Sequence, residues 1–93
     1  MADKTGVSVE AAELIALHAL AFLAGDAQRL SGFLNHTGVG PDDLKSAATT
    51  RPFQAAVLAY LLQNESLLMV CSTETGDAPG HIEPAHRVLA GEA

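Results

Sequence analysis

The stretch AELIALHALAFLAGDAQRLSGFL, residues 12–34, reads as two helices and the corner between them. Successive helical side chains are turned by about 100°, which gathers Ala12, Ile15, Ala16, Ala19, Phe22 and Leu23 on one side and leaves Glu10, Leu14, Leu17, His18 and Ala21 on the other. The first set is the predicted core face, and even the outer set is partly apolar. Ser8 is the expected cap of this helix, Glu10 stands in its first turn where negative charge suits the helix dipole, and Gly25 stops it after Ala24. Asp26 then caps a second helix over about residues 27–36. Its inward residues are Leu30, Phe33 and Leu34, and Gly32 leaves room for a neighbouring helix.

Outward from this pair the same logic continues. Gly38 falls where a left-handed helix end is expected. Pro41, Asp42 and Asp43 suit the first turn of a third, short helix that is finished by Ala48. Thr50 caps a fourth helix whose stripe Phe53, Val57, Tyr60 and Leu61 is accompanied by a second one, Leu58 and Leu62, so this helix belongs in the middle. Asn64 and Glu65 restart the chain as a fifth helix through about Thr75, with Leu67, Leu68, Val70 and Cys71 inward and Gly76 at its end. The segment DAPGHIEPAHRVLAGEA predicts a turn and then a short helix over about residues 84–90. The expected fold is all-α, a compact orthogonal bundle of five to six short helices. Residues 1–7 are read as a loose tail, 8–90 as one helical domain and 91–93 as a second tail.

Composition limits what such a domain does. A chain of 93 residues suffices for one core that buries roughly 60–65% of the unfolded surface without metals or disulfides. Hydrophobic residues make up 48% and aromatics 4%, so the interior is filled by Ala, Leu and Val. Five Lys and Arg against eleven Asp and Glu give a net charge of −6, which works against binding nucleic acid or an anionic membrane. The single cysteine, Cys71, excludes an intramolecular disulfide and suits a reducing compartment. The start MADKTGVSVE lacks a secretory pattern, and the apolar run 11–24 is too short for a membrane span and is interrupted by Glu13 and His18. These features predict a cytoplasmic protein.

The residues also resemble a known family. The string A-x-x-I-A-L-x-A-L-x-F-L-A-x-D-x-x-R-L-x-x-F-L begins at Ala12, and T-G-V-x-P-x-D-L, P-x-F-x-x-A-V-L-x-Y-L-L and N-E-x-L-L follow it. Together they are similar to a family of small alphaproteobacterial proteins known only as a domain of unknown function, over roughly residues 10–89. The resemblance implies a free-standing bacterial helical protein and carries no activity or site residues. Pro84 departs from the family pattern by interrupting an otherwise continuous last helix.

Four features are candidates for function. The turn TGVGPDD, residues 37–43, resembles a helix-hairpin-helix, whose exposed amides face a phosphate at a helix N-terminus. A phosphate-facing role would fall to Gly38, Val39, Gly40 and Lys45. Asp42 and Asp43 would each repel a phosphate by about 1 kcal/mol even at the dielectric of water, so the expected role is a structural turn with Val39 plugging the core. His81, Glu83 and His86 invite a metal, but the i, i+5 spacing parts the two imidazoles and a zinc site wants four convergent ligands. Cys71 lies mid-helix without the cationic neighbour or helix N-terminus that activates a thiolate, and is read as a buried structural thiol. No catalytic residue, metal or cofactor is expected.

The fourth feature is the outward apolar set Leu14, Leu17 and Ala21 beside His18, to which Leu58, Leu62 and Met69 add apolar surface. It predicts a non-enzymatic protein acting through an unknown protein partner or as a homodimer. The alternatives are phosphate or nucleic-acid binding at the Gly38-Val39-Gly40 turn, and a pocket for a small apolar ligand between helices.

Overall fold

Side-chain caps set the first corners of the chain. In a computed structural model that describes residues 7–91, the Ser8 hydroxyl accepts the Ala11 N–H at 3.1 Å and opens α1, Val9–Ala24. The Asp26 carboxylate accepts the N–H groups of Gln28 and Arg29 at 2.9 and 3.2 Å and opens α2, Ala27–Thr37. Each cap satisfies donors that the helix itself cannot pair. Gly38 ends α2 with φ of 79°, a conformation that costs an L side chain energy and glycine none.

A 3₁₀ turn over Pro41–Asp43 leads into α3, Leu44–Ala47. Thr50 caps α4, Arg51–Leu62, and α5, Glu65–Thr75, ends on Gly76 at φ 83°. A second 3₁₀ turn, Pro79–His81, precedes α6, Ile82–Leu89. The described residues thus form six α-helices and no strand, an all-α fold.

The core sits where α1, α4 and α6 pack against one another. From α1 come Ala12, Ile15, Ala16, Ala19, Phe22 and Leu23, the predicted set, and from α4 come Phe53, Val57, Leu58 and Leu61. Alanines on α1 let the helix axes approach while leucines on α4 fill the space. α2 is pinned to α4 by rings: Phe33 meets Phe53 and Tyr60 edge-on with centroids 5.5 and 5.2 Å apart. Gly32 eases this approach, since a Cβ there would stand 3.2 Å from the Tyr60 hydroxyl and push it back by a few tenths of an ångström.

Several expectations are corrected. Leu58 does not add exposed surface; it is fully buried, because α6 covers the side of α4 that a helical wheel leaves open. Val70 points outward on α5, leaving Leu68 and Cys71 as that helix's buried residues and Leu67 half-buried. The last helix begins at Ile82, two residues earlier than Pro84 suggests. Proline is tolerated there because the first turn's N–H groups have no intrahelical acceptor to lose.

Ile82, Ala85 and Leu89 of that helix are all buried, which makes α6 part of the centre. Val7, assigned to the loose tail, packs against the core. The rest of that tail, residues 1–6, and residues 92–93 lie outside the described residues. Gln54 is buried although polar, and its Nε2 donates to the Ala48 carbonyl at 2.9 Å, tying the end of α3 to α4.

The Cα atoms span only 18 Å in the thinnest direction. Helices with side chains are about 10–12 Å across, so the molecule is roughly two helix layers thick. Each helix consequently keeps an outer side, and the chemistry of those sides decides what the surface can do.

Candidate interaction surface

The outer side of α1 carries Leu14 and Leu17, 53% and 45% exposed, with Ala21 and Ala24 also exposed on the same arc. Their spacing is i, i+3, i+7, i+10, the a and d positions of a heptad, which line up as a seam along one side of a helix. Leu14, Leu17 and Ala21 were expected there from periodicity; Ala24 completes the row. Covering such side chains is worth about 25 cal/mol per Å² of apolar area removed from water.

Polar pairs border the seam on both sides. On one, the Arg51 Nε at the start of α4 lies 3.6 Å from the Glu13 carboxylate. On the other, His18 is more than a surface residue: its Nδ1 is 3.0 Å from Oδ2 of Asp77, just beyond α5. Asp77 is itself fixed by its N–H, which donates to the Thr75 hydroxyl at 3.2 Å. These pairs tie α1 to α4 and to the end of α5. They leave a strip of hydrocarbon framed by polar groups.

The TGVG corner is the second region. Gly38, Val39, Gly40 and Lys45 stand in and after the turn, as the sequence places them, but several of the amides a phosphate would use are already paired. The Gly38 N–H donates to the Leu34 carbonyl at 2.8 Å and the Val39 N–H to the Thr37 hydroxyl at 3.2 Å. The Asp43 N–H donates to the Gly40 carbonyl at 3.0 Å, and Pro41 has none. A carboxylate oxygen of Asp43 lies over Gly40, 3.7 Å from where a Cβ would be. Lys45 is exposed on α3.

Beside this turn runs an open groove of about 540 Å³ along α2, lined by Leu30, Leu34, Val39 and Pro41 with Ser31 and Asn35. No charged side chain lines it. Its far wall is missing, and Ser31, Asn35 and Pro41 are exposed, so it is a trough and not an enclosed cavity.

Elsewhere the chemistry is sparse. Among the described residues no three His, Cys, Asp or Glu side chains converge as metal ligands, so His81, Glu83 and His86 are not brought together. Cys71 is buried, and its thiol is pushed up to about 11, first by burial and then by the nearby Asp77 carboxylate. A thiol held protonated is a poor nucleophile. No single helix among the described residues is long and apolar enough to cross a membrane, and the apolar pair α4 and α5 is bent by 113°.

The fold and its surface define a small all-α protein whose distinguishing features are an uncovered apolar helix face and an apolar trough. The chain belongs to the DUF3572 family, described as a protein of unknown function, whose model matches residues 9–92. That span takes in all six helices, so the family character resides in the whole bundle. No curated protein and no solved structure matches the chain.

Proposed function

We propose that the protein is a non-enzymatic contact module that docks a partner along the outer side of α1. One observation carries this: the exposed row Leu14, Leu17, Ala21 and Ala24, in seam spacing, between the Glu13–Arg51 and His18–Asp77 pairs. An apolar strip with a polar frame is the pattern of an interface centre and rim. A buried free thiol suits a reducing, cytoplasmic setting for that contact. Co-purification from native lysate with wild-type and Leu17→Glu protein side by side tests the proposal. A protein retained by the wild type and lost with Leu17→Glu is expected; identical co-purifying sets would refute it.

The uncharged lining of the trough along α2 supports a second reading, capture of a small apolar ligand between Leu30, Leu34 and Val39. Displacement of a fluorescent hydrophobic dye from wild type but not from Leu30→Asp is the expected sign. Equal dye binding by both would remove this reading. Phosphate binding at the turn is the weakest of the three, because the Gly38 and Val39 amides are already paired.

A further inference from the structure

Resting on the α1 docking proposal, we infer that the occupant of this face is a cationic amphipathic helix, with aliphatic side chains on its seam and Lys or Arg beside them. The row at i, i+3, i+7, i+10 follows one side of a helix for ten residues, about 15 Å, and its natural complement is another helix laid along it. Leu14 and Leu17 stand up as knobs at one end, while Ala21 and Ala24 leave shallow space at the other for the partner's larger side chains.

Charge selects among helices. Around the row stand the carboxylates of Glu10 and Glu13, with Asp26 just past its C-terminal end and Asp77 at its edge. Against these four are the guanidinium of Arg51, the imidazole of His18 and the guanidinium of Arg29, which lies 4.3 Å over the Phe22 ring of α1, so carboxylates still outnumber guanidiniums four to two. The chain as a whole carries −6. An acidic frame of this kind attracts a helix flanked by cations and speeds its approach. A second copy of this chain is the poorer occupant: it would bring another −6 and the same acidic frame.

Two synthetic helical peptides test the inference, both with Leu at a and d, one with Lys and the other with Glu at e and g. Amide chemical shifts of the isotope-labelled protein are followed during titration. The Lys peptide is expected to shift the signals of residues 10–24 and to bind at least ~10-fold more tightly than the Glu peptide at low salt. That ratio should collapse between about 10 mM and 1 M salt, as the Debye length shrinks from roughly 30 to 3 Å. The double variant Leu14→Ser/Leu17→Ser keeps every charge and should lose binding at least ~10-fold.

Equal binding of both peptides at α1 would leave the docking proposal standing and overturn the charge inference. Binding of the Lys peptide that survives the double variant, or no shift along α1 with either peptide, would overturn both. Light scattering that shows a dimer abolished by the double variant would assign the face to a second copy and overturn the cationic partner.

Discussion

Substitution of Gly38 by alanine isolates the cost of the α2 corner from every other effect. The residue has φ of 79°, and a Cβ built there meets nothing within 4 Å, so steric crowding by neighbours contributes nothing. What remains is the left-handed backbone itself, which costs an L residue about 1–2 kcal/mol. Alanine also narrows the unfolded ensemble, returning about 0.4–1 kcal/mol. The net loss is about 1 kcal/mol, which for a domain of this length lowers the melting temperature by about 4–8 °C.

Gly76, with φ of 83° and equally open surroundings, should give the same loss within a few tenths of a kcal/mol. Asparagine at position 38 tolerates the conformation better and should lose less. Gly32→Ala is the internal contrast. Its helical backbone gains about 0.8–1 kcal/mol in propensity, while the new Cβ, 3.2 Å from the Tyr60 hydroxyl, forces that ring outward by a few tenths of an ångström. Its melting temperature should stay closer to wild type than that of Gly38→Ala. Thermal unfolding followed by circular dichroism at 222 nm, a helix-sensitive wavelength, checks the series. Gly38→Ala melting at the wild-type temperature would refute the account of this turn as a conformational stop.

Three further outcomes are expected. Leu58→Ala, at a fully buried position between α4 and α6, should cost about 2.7–5 kcal/mol in urea unfolding and bring the domain close to its stability limit. Burial raises the Cys71 thiol from 9.0 to about 11, so the folded chain keeps its proton where the unfolded chain has lost it. Stability is then full below about pH 9 and falls as pH rises toward 11; Cys71→Ala should flatten that part of the profile measured by denaturant titration. The Leu14→Ser/Leu17→Ser variant should change unfolding free energy by only about 0.5 kcal/mol per site, since exposed positions contribute little to the isolated fold.

Local chemistry was legible in the sequence and long-range coverage was not. Ser8, Asp26 and Thr50 act on amides two or three residues away, and Gly38 and Gly76 answer to their own φ angles, so their roles are written within a few positions. The inner face of α1 was legible for a similar reason, because one side of the wheel holds small and aliphatic residues and the other mixes Glu and His among leucines. α5 lacks that contrast. Leu67, Leu68, Met69, Val70 and Cys71 follow one another without a polar residue, so no wheel can tell that Val70 faces out.

On α4 the two apolar stripes look alike, and Leu58 owes its burial to α6 more than twenty residues later. The pairing of His18 with Asp77 spans 59 positions and has no local signature. The candidate face itself was visible through Leu14, Leu17 and Ala21. Its frame was not, because both bordering pairs join α1 to distant segments.

The leucines of that face call for an explanation that folding does not supply. Helix propensity alone would favour alanine, which already stands at positions 21 and 24 of the same row. The core does not require them either, since α1 meets α4 and α6 through its opposite side. In a body two helix layers thick no further element of the described chain covers them. Two half-exposed leucines on an acidic protein thus cost solubility without supporting the fold, whereas packing against α4 and α6 holds the helix that presents them in a fixed orientation. A rigid presentation of side chains that the isolated bundle does not need is what docking demands, because a pre-ordered face loses little entropy when a partner settles on it. On the docking proposal, what α1 shows outward is the working surface, and α4 and α6 hold it in place.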